Sequence, residues 1–252
     1  MDLDVGGGVT MKLVLIPAGT FIMGSPDNEK DRDADEGPQH EVTISRPFYM
    51  GVCEVTQAQY EQITGRNPSR FKGAGRAVEQ ADWNDAVDFC SEVSQKTGKR
   101  VRLPTEAEWE YACRAGTTAP FNTGETISTD QANFNGEETY GGGPKGQYRR
   151  ETIPAGSFKP NAFGLHDMHG GVWEWCSDWY SDSYADAEKT DPQGPTSGVV
   201  RVLRGGSWRS VPRLCRSAVR EWGAPWRTSS YDGFRVVVES EQASCPQAHP
   251  DR

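Results

Sequence analysis

The sequence predicts one α+β domain, loop-rich, with short antiparallel strands and two or three helices. Three observations carry this. Among 252 residues only 35% are apolar, while 28 glycines, 16 prolines and 8 tryptophans are present, a mix suited to irregular chain with aromatic anchors rather than to a helical bundle. Helix-start signals occur three times in the first half. Strand-like runs lie near both ends, and no repeat or linker interrupts residues 9–238.

Taken in order, residues 1–8 (MDLDVGGG) form an N-terminal extension that is acidic and lacks the apolar centre of a signal peptide. Residues 11–24 (MKLVLIPAGTFIMG) read as a hairpin turning at Pro17-Ala18-Gly19. SPDNEKDRDADEGPQ is a charged surface loop. Its Asp31, Asp33 and Asp35 miss the EF-hand pattern, because Glu36 stands where that loop needs glycine and Val42 where it needs glutamate. HEVTISRPFYMGVCEVT returns as strands. Thr56 and Gln59 make a capping box for a helix that Gly65 closes. Asn84 is the expected cap of a second helix, with Ala86, Val87, Cys90 and Val93 on one face. Thr105 and Glu108 box a third, whose acids read as caps and helix-face charges. Residues 117–160 show almost no periodicity, so that stretch is disordered or held by something other than packing. The polar tail 239–252 is expected to be disordered.

Several function classes are excluded. A net charge of −9 argues against non-specific nucleic-acid binding. No apolar run is long enough for a membrane span. The six cysteines (53, 90, 113, 176, 215, 245) include no CxxC pair and no zinc spacing, and without a leader they are expected as free thiols. Of the four histidines (40, 166, 169, 249), none has the partners of a hydrolase triad or a facial iron site. No GxSxG or phosphate loop occurs.

The stretch Arg204–Val238 organises the chain. Gly205-Gly206 permits a sharp turn, and Gly233-Phe234-Arg235 with three valines reads as a buried terminal strand. Between them lies a wet, aromatic and cationic segment, read as a contact surface. Its candidate partner-binding residues are Ser207, Trp208, Arg209, Ser210, Arg213, Leu214, Val219, Glu221, Trp222, Trp226 and Arg227. Trp and Arg are frequent interface hot spots. Trp173, Trp175 and Trp179 are read as core.

RGGSW, CRSAVR and GFR in this order, with RLPTEAEWEYACRAG and GLHDMHGGVWEW upstream, resemble the signatures of the formylglycine-generating-enzyme (sulfatase-modifying-factor) family. The resemblance spans residues 9–238 and implies a C-type-lectin-like fold. It implies a calcium site formed by the Asp167 side chain, the Gly170 and Val172 carbonyls and the Glu174 carboxylate, although the family's Gly-Asn is Gly170-Gly171 here. A second calcium site would use Asn133 and the Phe134 carbonyl, but its acidic partner falls in Lys145–Tyr148, which has none. Family enzymes oxidise a sulfatase cysteine with copper and two cysteines; alignment on Gly205-Gly206-Ser207 puts the second at Cys215 and the first at Ser210. A hydroxyl is a poor Cu(I) ligand and cannot form a mixed disulfide, so copper is not expected. Arg213 and Arg216 beside Cys215 would lower its pKa if the loop converged on it. Cys90 and Cys113 match cysteines that form disulfides in secreted members, but their partner positions are Val236 and Arg220, so both are expected as buried thiols.

The expectation is therefore a non-catalytic binding or regulatory module that binds calcium and a protein or peptide, with no nucleic-acid or membrane partner. It would be cytoplasmic, or part of a larger protein whose leader is not present. The alternatives are an oxidase using Cys215 and a ligand-binding variable protein of a diversity-generating retroelement.

Overall fold

The computed structural model describes residues 1–185 and 187–240. Its elements in chain order are β1 (Asp2–Asp4), β2 (Thr10–Ile16), β3 (Gly19–Met23), β4 (His40–Ile44), β5 (Phe48–Gly51), α1 (Gln57–Thr64), α2 (Trp83–Thr97), β6 (Val101–Arg102), α3 (Glu106–Arg114), β7 (Trp173–Trp179), β8 (Arg201–Arg204), β9 (Arg220–Gly223), β10 (Asp232–Gly233) and β11 (Val237–Glu239). They make a five-stranded antiparallel sheet β1-β2-β5-β11-β6, a four-stranded sheet β10-β7-β8-β9 and the pair β3-β4. The mixed α+β class with three helices is the one the sequence predicts.

Several expectations are corrected. β2 and β3 are not a hairpin: β2 pairs with β1 and β5, while β3 pairs with β4. The turn at Pro17-Ala18 hands the chain from one sheet to another. Residues 1–8 are no mere extension, since β1 is an edge strand and Leu3 and Val5 are buried in the core. The GFRVVV run is split, with Gly233 joining β7 and Val237–Glu239 entering between β5 and β6. This segment ties the two larger sheets together. The expected tail 239–252 starts too early, because Glu239 still pairs in β11; its residues 241–252 lie outside the described residues.

Local chemistry explains the helices. Thr56 and Thr105 accept from the backbone N–H groups of Gln59 and Glu108, completing both boxes, and Gly65 closes α1 in the left-handed region (φ 71°). For α2 the cap is Asp82, not Asn84, boxed with Asp85. The sequence shows why: Asp82 offers a carboxylate three positions before a second acid, a stronger start signal than an asparagine already inside the helix. Its buried face is Ala86, Phe89, Cys90 and Val93, with Val87 exposed.

One apolar cluster fills the space between α1, α2 and the large sheet, including Tyr60, Phe89, Trp175 and Phe234. A second joins α3 to β3 and β4 around Trp109. A third, comprising Phe121, Ile127, Ala132, Phe134, Tyr140 and Cys215, sits inside the aperiodic half. Packing therefore does hold the 121–140 part of the aperiodic stretch 117–160. Irregular segments can bury scattered aromatics without any period to announce it.

Candidate functional site

The glycine pair before the signature serine is sterically required. Gly205 and Gly206 have φ of 95° and 78°, and a β-carbon at Gly206 would lie 2.5 Å from the Cys215 sulfur. The chain then makes a short 3-10 helix, Pro212–Cys215, opened by the proline. Ser210 Oγ accepts from the Ser207 backbone N–H at 3.0 Å and lies 3.0 Å from Ser207 Oγ. The two hydroxyls form a closed, buried pair.

Cys215 is fully buried, and burial pushes its thiol up to about 12. The loop does not converge on it: Arg213 and Arg216 are engaged elsewhere, and the buried thiol stays unactivated. Arg213 lies 4.0 Å from Asp33, and Arg216 is clamped by Glu29 and Glu36 at 2.5 and 2.6 Å. Cys90 and Cys113 are free buried thiols, as read from the sequence, and burial pushes Cys113 up to about 12. His169 is wholly structural: Nδ1 donates to the Cys215 carbonyl at 2.7 Å and Nε2 accepts from the Asn122 N–H at 3.0 Å. Burial holds its pKa down to about 4.

The eleven proposed contact residues divide sharply. Arg209, Arg213, Trp222 and Trp226 are exposed, the last two at 49% and 70%. Leu214, Glu221 and Arg227 are half-buried. Ser207, Trp208, Ser210 and Val219 are buried, so the wet surface is smaller than the sequence reading made it. Trp208 instead forms a floor, its Nε1 donating to the Ser230 carbonyl at 2.8 Å. Trp173 and Trp175 are core, whereas Trp179 is half-buried with Arg201 stacked 3.4 Å from its ring centroid.

At the calcium loop, Glu174 is already committed. Its carboxylate takes two 2.6 Å bonds from Arg235 and one of 2.8 Å from Trp109 Nε1. Asp167 accepts from the Gly156 N–H at 2.6 Å. The sequence reading missed Glu54, which is buried beside them with Oε2 lacking any partner. A β-carbon at Gly171 would lie 2.7 Å from Glu54 Oε1, so this carboxylate occupies the space that an asparagine at 171 would need. Burial, then the Asp167 and Glu174 charges, pushes Glu54 well above the usual carboxylate range, with Arg235 pulling the other way. Two buried carboxylates, Glu54 and Glu174, and the half-buried Asp167 thus share one guanidinium, and the orphaned oxygen marks a deficit of positive charge that a hard cation matches. Among the described residues no three His, Cys, Asp or Glu side chains converge as a metal cluster, so a cation here needs backbone carbonyls as well. At the second site Asn133 is buried with Oδ1 unpartnered, and Phe134 is in the third cluster. Glu54 follows β5 in a bend, and only its place between the apolar Cys53 and Val55 hints at its burial in the sequence.

The acids of α3 are more than caps. Glu108 does close the box, but Glu106 and Glu110 are buried ion-pair partners of Arg220 and Arg204. Burial alone would raise Glu106, but Arg220 and Arg204 outweigh it and hold the carboxyl below its ordinary value.

With this geometry in place, comparison with known proteins is decisive for kinship. The sulfatase-modifying factor enzyme 1-like domain matches residues 8–240. The chain belongs to that family. It is 30% identical to the formylglycine-generating enzyme of Mus musculus, over 90% of this chain and 75% of the enzyme. It is 32% identical to the serine/threonine-protein kinase pkn1 of Chlamydia caviae, covering 90% of this chain but only 38% of the kinase. Among solved structures, PvdO from Pseudomonas aeruginosa superposes with a TM-score of 0.82 at 33% identity, over 95% of this chain and 98% of that one. Treponema denticola variable protein 1 gives 0.81 at 27%, over 95% and 99%. These neighbours agree with the C-type-lectin-like fold implied by the signatures. Among the described residues no helix is long and apolar enough to cross a membrane.

Proposed function

We propose that this family member is a non-catalytic binding module that presents Trp222, Trp226 and the neighbouring exposed arginines to a protein or peptide partner. The observation that carries the reading is the Ser210 position. Its hydroxyl is locked to Ser207, and the remaining signature thiol, Cys215, is buried with a pKa raised to about 12. Two thiolates are what linear Cu(I) ligation and substrate capture require. A calcium ion held by Asp167, Glu54 and the Gly170 and Val172 carbonyls would brace the loop by compensating the buried negative charge.

Cu(I) titration of the reduced protein tests this, with mass spectrometry of a cysteine-containing sulfatase peptide run alongside. The expected outcome is no stoichiometric thiol-dependent copper site and an unchanged peptide. Tight binding lost in Cys215→Ala, together with conversion of the cysteine to an aldehyde, would install the oxidase reading instead. A second reading, a diversified display protein, draws on the resemblance to the Treponema variable protein. It requires a template repeat and a reverse transcriptase beside the gene, and their absence would remove it.

A further inference from the structure

A ring of guanidinium–aromatic contacts surrounds Trp208. The Trp208 ring meets Phe71 edge-on at 5.4 Å between centroids and lies nearly parallel to Tyr148 at 6.4 Å. Arg70 sits 5.1 Å from the Phe71 centroid and Arg150 4.9 Å from that of Tyr148. Tyr231, next to the Ser230 carbonyl that Trp208 bonds, carries Arg209 at 5.0 Å and Arg227 at 5.7 Å.

The counter-charges decide what this ring is for. Arg227 is neutralised by Asp232 at 3.0 Å, with Glu221 at 3.7 Å. Arg150 has Glu137 at 3.6 Å, both side chains being well exposed, a pairing worth little in water. Among the described residues no acid pairs with Arg70 or Arg209, and Arg70, Arg150 and Arg209 are all exposed. A chain of net charge −9 has therefore left cations uncompensated around one partly apolar floor. A guanidinium laid on a ring face keeps its in-plane N–H donors free, and that fork matches a carboxylate.

We infer that this face docks an acidic, aspartate- or glutamate-rich peptide segment of a partner protein, its carboxylates on Arg70, Arg150 and Arg209 and its aliphatic atoms on Phe71, Tyr148 and Tyr231. The inference deepens the binding-module reading and rests on it. A long nucleic acid fits less well. The chain's overall charge repels a polyanion, and Asp33, within 4.0 Å of Arg213, brings an acidic loop beside the neighbouring signature segment.

Fluorescence anisotropy on the full chain tests it, using a labelled oligoglutamate peptide, its oligoglutamine counterpart and a single-stranded oligodeoxythymidine. The glutamate probe should bind, weaken with added salt and exceed both other probes. The double variant Arg70→Glu/Arg209→Glu should weaken it about tenfold or more, whereas Arg100→Glu, at the salt-bridged end of β6, should stay within about twofold. All the substituted side chains are exposed, and thermal unfolding checks that each variant folds. Failure of the glutamate probe to bind, indifference to the double reversal, or tighter binding of oligodeoxythymidine would overturn the inference. Peptide-cysteine oxidation is assayed on the same preparations. Turnover there would sink the non-catalytic reading, while lost probe binding without turnover removes only the acidic-peptide assignment.

Discussion

Arginines of one stretch do two opposite jobs. Arg204, Arg216, Arg220 and Arg235 are buried, and each is clamped by carboxylates: Glu110, Glu29 and Glu36, Glu106, and Glu174 respectively. Arg209 and Arg213, interleaved with them, are exposed and lie on rings or face weak counter-ions. Buried members replace the hydrogen-bonded regularity that a loop-rich fold lacks. Arg204 alone donates to the Ala218, Val219 and Ser217 carbonyls as well as to Glu110. One residue type therefore serves as internal mortar or as display, and only the partner carboxylate distinguishes the two.

Removing one side of a buried pair is the hardest blow to this division. Arg204→Ala leaves Glu110 with Arg114 as its remaining guanidinium partner and three carbonyls without their donor, at a cost of about 3–5 kcal/mol. Arg209→Ala should stay within about 0.5 kcal/mol. Urea unfolding of the two variants measures both, and equal losses would break the comparison.

A pH effect comes next. Asp178 accepts from the Glu106 N–H at 2.9 Å and from Ser177 Oγ at 3.0 Å, and burial, then the Glu106 charge, raises it to about 7. Its folded pKa exceeds the unfolded value of 3.8, so the native state binds the proton more tightly. This group's contribution is most favourable below the unfolded pKa. It declines as pH rises to about 7 and is constant above. Asp178→Asn should remove that decline and, relative to wild type, gain on the order of 3–4 kcal/mol between pH 4 and pH 8. Parallel stability–pH curves for the two proteins would refute it.

Calcium should give a smaller increment. At about tenfold excess over its Kd, a bound ion adds about 1.4 kcal/mol. Asp167→Asn should abolish the rise in Tm between chelator and calcium, and Glu54→Gln should reduce it. A wild-type Tm indifferent to calcium would remove the site.

The two kinds of region also differed in how well they could be read beforehand. The capping boxes of α1 and α3 were legible, because their chemistry is contained within four consecutive residues. The signature glycines were legible because a turn is local. What stayed hidden was pairing across long separations. Nothing near Arg216 foretells Glu36, and Glu54 stands far from Asp167 along the chain while sharing its charge environment. The segment after Arg204 reads as wet because arginine is usually exposed; the acids that pair with Arg204, Arg216 and Arg220 lie in two earlier segments, α3 and the charged loop, and that loop is not wholly at the surface. Glu36 of that loop is wholly buried.

The smallest effect on stability should accompany a clear effect on binding. Trp226 is 70% exposed, so Trp226→Ala removes little native packing and should change stability by less than about 0.5 kcal/mol. Trp222 differs, since its exposed ring lies 6.2 Å from Tyr180 and its carbonyl accepts from Arg227 at 3.0 Å. Trp222→Ala keeps that carbonyl and so isolates the ring. If the display half of the stretch is a binding surface, each truncation should weaken capture of a partner or acidic probe by several-fold while unfolding curves superimpose. Unchanged binding in both variants would confine recognition to the arginine ring around Trp208. Loss of stability in Trp226→Ala would move that tryptophan to the mortar side, and the boundary drawn between the two sets of residues would have to shift with it.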